Sequence, residues 1–180
     1  MEKRVFENPI IKDRVTIIKT SKETNGEYTL VEVELARGGG NGLHAHTSFT
    51  EEFTSLEGEL GVELDKKQMR LAPGNSALVP IGQWHRFYNP GNNTVRFLVK
   101  LTPGHEGFEN GLRIGYGLAE SGLTNKKGIP KKISHLAVLL SFTDTVLPGF
   151  LSLIQPVLKW QARRAVKKGV DKELIKQYCR

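Results

Sequence analysis

Three side chains with metal-binding chemistry lie close together in one stretch of the sequence, between Gly38 and Gly58. His44 and His46 are two residues apart, so both point to the same face if the segment is extended. Glu51 follows five residues after His46, and its carboxylate can reach the same point if the chain turns between them. Imidazole nitrogens and a carboxylate oxygen that converge make a site for a first-row divalent metal. Such a site needs a fourth ligand from elsewhere in the chain.

A second stretch, residues 74–89, offers that ligand in His85. Ten positions in the two stretches carry the motif residues: Gly38, His44, His46, Glu51 and Gly58 in the first, and Gly74, Pro80, Gly82, His85 and Asn89 in the second. In type and spacing they resemble the two motifs of the cupin family, over about residues 27–104. The resemblance implies a mainly β fold, a double-stranded β-helix or jelly roll, with one metal inside. By the same resemblance, the ligands are His44, His46, Glu51 and His85.

The donor set restricts the metal without naming it. Three neutral imidazoles and one carboxylate suit divalent Fe, Mn, Ni, Cu, Co or Zn. Four protein ligands leave one or two positions open on an octahedral metal, as binding of substrate, water or dioxygen requires. The resemblance to quercetinase-like cupins suggests that Glu51 can also leave the metal and act as a general base. His105 and His135 lie outside the motifs, and we expect neither to be a ligand.

Alternation along the strands predicts the walls of a pocket beside the metal. Phe53 and Phe87 follow the last two ligands by two residues, so they face inward if those ligands do. Phe97 and Val99 belong to an inward-facing apolar stripe of the alternating segment 94–101. These four side chains would line an apolar chamber, which is the usual composition of a small-molecule site. The alternative is that they simply fill the barrel.

The elements that must position these residues change character along the chain. Short strands separated by turns rich in Gly, Pro and Asn extend from residue 15 to residue 101, which is typical of an antiparallel sandwich or barrel. After residue 104 the apolar spacing becomes helical and predicts helices over about 106–120, 132–147 and 150–168, with a short one from 171. We therefore predict a cupin β-barrel domain over 1–104. A helical C-terminal extension, 105–180, would pack on the barrel or on a dimer partner.

The basic charge lies in this extension. The chain has a net charge of +7, and residues 121–180 hold 12 Lys and Arg against 3 Asp and Glu, whereas residues 1–120 hold 14 against 16. No recognised nucleic-acid-binding motif accompanies the charge, so we expect no nucleic-acid partner. We favour packing of the basic amphipathic helices on protein, with contact to an anionic membrane surface as the alternative. The single cysteine, Cys179, and an N-terminus without a long apolar segment favour a cytoplasmic protein.

Two functions fit these features. The first is a metal-dependent enzyme, dioxygenase-like or isomerase-like, that acts on a small organic substrate in the barrel with Glu51 as a catalytic residue. The second is a non-catalytic small-molecule-binding or sensor protein whose C-terminal helices report on the site or bind a partner. Exposed strand edges and the apolar helices favour a homodimer in either case.

Overall fold

The computed structural model describes residues 3–179, apart from the side chain of residue 151. Most strands belong to two antiparallel sheets. The strands are β1 (Val5–Asn8), β2 (Asp13–Lys19), β3 (Thr29–Leu35), β4 (Ala45–His46), β5 (Thr50–Glu57), β6 (Leu60–Leu64), β7 (Lys67–Leu71), β8 (Ser76–Val79), β9 (His85–Tyr88), β10 (Val95–Thr102) and β11 (Thr145–Val146). The larger sheet has the order β1-β2-β3-β10-β5-β8, and the smaller has the order β7-β6-β9.

The smaller sheet continues past β9 towards the metal-binding stretch. Backbone bridges join Gly40 to Tyr88 and His44 to His85, so the chain leading into β4 lies beside β9. Strand β4 in turn pairs with β11, a strand from the helical extension. The two curved layers enclose the core, and the mainly β jelly roll with C-terminal helices is confirmed.

The strands form where apolar side chains alternate. In β3 every second residue from Thr29 to Leu35 is buried, and β10 pairs with it so that Val33 opposes Phe97 and Val31 opposes Val99. The β6–β7 hairpin turns on Asp65 and Lys66, whose positive φ angles of 46° and 71° suit the two-residue turn that matches strand twist.

The helices of the extension are α1 (Glu106–Glu120), α2 (Ile133–Phe142), α3 (Phe150–Leu153), α4 (Gln155–Lys167) and α5 (Val170–Tyr178). The helix predicted over 132–147 is wrong at its end, because α2 stops at Phe142. Asp144 has a positive φ of 45°, and Thr145–Val146 leave the helical path to pair with β4. This short pairing brings Thr143 and Thr145 beside His46 of the metal-binding stretch.

Helix α1 is held against the barrel by polar contacts. Glu109 accepts hydrogen bonds from the Ser21 backbone N–H (2.6 Å) and the Thr29 hydroxyl (2.7 Å). On its other side α1 packs with α2, α4 and α5 around a second apolar cluster that includes Ile114 and Val138. The helices thus contact the barrel within one chain, while the division at residue 104 stays a prediction.

No helix within residues 3–179 combines the length and the apolar character that crossing a bilayer requires.

Candidate metal centre

The four predicted ligands come together from β5 of the larger sheet and from the regions of β4 and β9. His44 precedes β4 and His46 ends it, Glu51 lies in β5, and His85 begins β9. The backbones of His44 and His85 exchange two hydrogen bonds, of 3.0 and 2.8 Å, which sets the two residues directly opposite each other. One ligand atom from each of the four side chains lies within 4.8 Å of the other three. We refer to these four residues as the metal centre.

Backbone carbonyls orient all three imidazoles. The Nδ1 atoms lie 2.9 Å from the Gly42 carbonyl oxygen for His44, 2.9 Å from that of Thr143 for His46, and 3.0 Å from that of Gln83 for His85. A carbonyl only accepts, so each Nδ1 must carry the proton and donate it. Each Nε2 is then left with its lone pair, which is the arrangement that metal-ligating histidines adopt.

The Nε2 atoms of His46 and His85 both face the carboxylate of Glu51. The Nε2 of His46 is buried without a hydrogen-bond partner among the described residues and lies 3.8 Å from the Glu51 Oε2. The Nε2 of His85 lies 2.7 Å from the same oxygen. Because both atoms of that pair are acceptors when the imidazole is neutral, a cation must lie between them: either a proton or a metal ion. The donor set and the orphaned Nε2 therefore fit a first-row divalent metal.

The charges of the metal centre are those of a metal-binding site at neutral pH. Burial, together with the neighbouring His85 and His46, lowers the pKa of His44 to about 3. Burial also lowers the pKa of His46. For Glu51 burial acts in the opposite direction, but the adjacent imidazoles, His46 foremost, bring its pKa down to about 2. Burial would lower the pKa of His85, but its hydrogen bond with Glu51 raises it. Two neutral imidazoles and an ionised carboxylate are thus available as ligands.

A cavity of about 530 Å³ opens beside the metal centre. Three of the predicted pocket residues, Phe53, Phe87 and Val99, line it. Phe97 is not among the residues that line this cavity, and its place in a substrate pocket stays a prediction. Its ring packs at 5.1 Å from that of Phe87 and 6.3 Å from that of Phe53, so it supports the lining without reaching the cavity.

The far wall of the cavity holds a polar pair that the sequence reasoning missed. Asp13 is 6% exposed, and its Oδ2 accepts a hydrogen bond of 2.6 Å from the Tyr116 hydroxyl, while its Oδ1 has no partner among the described residues. Burial raises the pKa of Asp13 to about 7, against the effect of Tyr116. A signal was present in the sequence, because Asp13 alternates in phase with the buried Val15 and Ile17 of β2.

Helix α1 and the loop after it form the remaining walls. Phe108 and Leu112 contribute apolar surface from α1, and the exposed Lys126 and Lys127 lie at the rim. The cavity is therefore shaped by both the barrel and the extension, with a cationic rim and the carboxyl groups of Asp13 and Glu51 in its lining.

The two histidines predicted not to be ligands are not among the four residues whose ligand atoms converge in the described part of the chain. The Nδ1 of His105 caps α1 by accepting from the Phe108 N–H at 2.9 Å, and its Nε2 lies 3.2 Å from the Asp144 carboxylate. His135 lies in α2.

Residues 31–100 match the family model described as Cupin domain. The chain therefore contains a domain of the cupin family.

Several solved structures are similar to between half and three fifths of the chain. An RmlC-like cupin from Shewanella frigidimarina is 22% identical with a TM-score of 0.50, and the match covers 59% of this chain and 89% of that one. A predicted oxalate decarboxylase from Thermotoga maritima is 21% identical over 51% of this chain and 80% of that one, with a TM-score of 0.49. A sugar phosphate isomerase from Silicibacter pomeroyi is 21% identical over 57% and 70%, with a TM-score of 0.47. At these identities the likeness concerns the fold alone. None of the curated proteins matches the sequence.

Proposed function

We propose that the protein is a metal-dependent enzyme that acts on a small organic substrate inside the barrel. The observation that carries the proposal is the convergence of three carbonyl-oriented imidazoles and Glu51 beside a cavity of about 530 Å³. A volume of this size holds a small organic molecule. A bound divalent metal would supply Lewis-acid or redox chemistry at that wall.

The side chains of the cavity would bind the substrate and transfer protons. Phe53, Phe87 and Val99 exclude water and hold the apolar part of a substrate. Glu51 is an ionised carboxylate, so it can accept a proton from the substrate. Asp13, with a pKa of about 7, can exchange a proton at neutral pH through its unpartnered Oδ1. Two carboxyl groups with separated pKa values in one cavity favour acid–base chemistry, as an isomerase requires.

Metal analysis tests the metal centre. Protein purified without added metal should contain about one transition-metal ion per chain by elemental analysis. His46→Ala should lower metal affinity at least about tenfold, because a ligand and its carbonyl-oriented lone pair are lost. His135→Ala is the matched control, since it removes a histidine outside the metal centre and should retain the metal. A wild-type protein that neither contains nor binds any of the six candidate metals would overturn the proposal.

Exchange of the metal separates the two classes of reaction. Protein reconstituted with Fe, Cu or Ni and with Zn should be assayed against a panel of small phenols, hydroxy acids and sugar acids, with dioxygen consumption recorded. Dioxygenase chemistry should be lost with redox-inert Zn. Turnover that survives with Zn and consumes no dioxygen would assign the protein to isomerase-like chemistry.

One observation favours the second candidate, a non-catalytic sensor. The carbonyl of Thr143 and the hydroxyl of Thr145 both lie within hydrogen-bonding distance of the His46 Nδ1, at 2.9 and 3.2 Å. The helical extension therefore contacts the metal centre and can respond to what binds there. A protein that shows no turnover with any metal, but whose α2–α4 amides change their hydrogen exchange when metal binds, would be the sensor.

A further inference from the structure

The outward side of α3 and α4 exposes large apolar side chains. Phe150, Leu153, Val157 and Trp160 are 71, 77, 54 and 51% exposed. Their spacing of three or four residues places them on one side of the helical path, and we call these four residues the outer stripe. The opposite side of α4 is buried against α2 through Leu158, Ala162 and Ala165. Packing within the chain therefore explains the apolar residues on the inner side of these helices. It does not explain those of the outer stripe.

The charges on the segment that carries the outer stripe have one sign. Residues 148–170 contain no Asp or Glu and contain five exposed basic residues: Lys159, Arg163, Arg164, Lys167 and Lys168. None of the ion pairs formed within residues 3–179 involves these five side chains. The guanidinium of Arg164 lies 5.3 Å from the centre of the Trp160 ring, which places a cation directly at the edge of the apolar surface.

We propose that the outer stripe and its basic border bind the surface of an anionic phospholipid bilayer. Helices with large apolar residues on one side, a tryptophan and a border of Lys and Arg lie in the headgroup region of such membranes. Each basic residue near an anionic surface adds to the attraction, so the five basic residues complement a negative membrane. The 13 residues of α4 extend for about 20 Å, which suits a helix lying along the interface.

A second copy of the chain fits this surface less well. A two-fold dimer through the outer stripe would bring the same patch of both subunits together. The basic borders would then face each other without an acidic residue from 148–170 to neutralise them. Like charges across an interface oppose association, whereas anionic headgroups neutralise the same residues.

The proposed contact is connected to the metal centre through one element. Helix α4 packs on α2, and the residue that follows α2, Thr143, holds the imidazole of His46. The proposal does not depend on a bound metal, because the outer stripe and its charges belong to helices outside the metal centre.

Co-sedimentation of the full-length protein with large vesicles tests the proposal. Vesicles of phosphatidylcholine with about 30% phosphatidylglycerol should pellet the protein, and vesicles of phosphatidylcholine alone should not. Binding should weaken strongly when NaCl rises from about 50 to about 500 mM, since screening removes the electrostatic attraction. In a Trp84→Phe background, the fluorescence of Trp160 should shift to the blue as its ring leaves water.

Matched variants locate the contact. Arg163→Glu/Lys167→Glu should lower the vesicle partition coefficient at least about tenfold. The control Lys19→Glu/Lys67→Glu makes the same charge change on exposed barrel residues and should leave binding nearly unchanged. Phe150→Ala/Leu153→Ala should weaken binding without changing the unfolding temperature by much, because both side chains are exposed.

Three results would overturn the proposal. The first is absence of binding to anionic vesicles by a folded protein. The second is binding that both charge-reversal variants reduce equally, which would show a diffuse charge effect. The third is a concentration-dependent dimer that Phe150→Ala/Leu153→Ala abolishes, which would make the outer stripe a subunit interface. Metal content measured on the same samples keeps these outcomes separate from the test of the metal centre.

Discussion

Each imidazole of the metal centre is oriented by a backbone carbonyl, but the carbonyls come from different parts of the chain. For His44 and His85 the acceptor lies two residues earlier in the sequence. For His46 the acceptor, Thr143, lies 97 residues later. Local geometry therefore sets the tautomer of two ligands, whereas the third depends on the position of the C-terminal extension.

Asp13 is the buried acid of the cavity that is not part of the metal centre. Its carboxyl group is 6% exposed and is held by the Tyr116 hydroxyl. Burial raises its pKa from 3.8 to about 7, so the native protein holds a proton at this position that the unfolded chain has released. Native-state stability linked to this group is fully present below about pH 4 and is lost as the pH rises through about 7.

Asp13→Asn should remove this pH dependence, because asparagine imitates the protonated acid in shape and charge. The unfolding free energy of the variant minus that of the wild type should increase between about pH 4 and pH 7, by at most about 1.4 kcal/mol per pH unit. Urea unfolding at a series of pH values measures it. Glu120→Gln neutralises an exposed carboxylate of α1. Its unfolding free energy, plotted against pH, should run parallel to that of the wild type. A parallel curve for Asp13→Asn would show that Asp13 is ionised in the native protein at neutral pH.

At the scale of elements, glycines in α1 set the position of the segment that holds His46. A Cβ at Gly107 would lie 2.3 Å from the Phe142 carbonyl oxygen, and one at Gly111 would lie 2.4 Å from the Thr143 Cγ2. These two glycines are one turn apart and face the same side of the helix. They allow the end of α2 to approach α1 closely enough for Thr143 to reach His46.

Gly107→Ala should displace this end of α2. We expect a loss of about 1–3 kcal/mol in the free energy of unfolding from the backbone clash, and about a tenfold loss of metal affinity from the displaced acceptor of His46. Urea unfolding of the metal-free protein and metal titration measure the two effects.

The same helix provides the control. A Cβ at Gly115 meets nothing within 4 Å, so Gly115→Ala should stabilise α1 by about 0.5–1 kcal/mol and leave metal affinity unchanged. Equal metal affinity for both variants would show that the contact between α1 and Phe142 does not position the metal centre.

The sequence predicted the elements whose signals are local. The strands follow from alternation, as in β3 and β10, and the start and end of α1 match the predicted range. The end of α2 and strand β11 could not be predicted in this way, because Thr145–Val146 form a strand only through pairing with Ala45–His46.

In the site, too, features with local sequence signals were predicted, and features that depend on tertiary packing were not. The four side chains of the metal centre follow from spacing within two motifs, and the structure places them together. Alternation assigned Phe97 to the correct side of its strand but could not tell a cavity wall from the core behind it. The cavity walls formed by α1 depend on how a helix docks on the barrel, for which the sequence pattern holds no direct signal.

At the scale of the whole molecule, the predicted homodimer stays a prediction. The larger sheet ends in the edge strands β1 and β8, and Leu78 of β8 is 58% exposed. Exposed edges of this kind favour association between subunits. Light scattering at micromolar concentration, without lipid, should give the mass of two chains, and a monomer would contradict the prediction.

The pairing of β4 with β11 also bears on when the metal centre forms during synthesis of the protein. Thr145, which contacts His46, is separated from it by 99 residues. At the ribosome's usual rate of about 5–20 residues per second, this segment emerges roughly 5–20 s after His46. His44, Glu51 and His85 are made well before it. A metal ion that reached the nascent barrel before then would meet only two imidazoles with fixed tautomers, and the third becomes fixed once Thr143 and Thr145 have emerged.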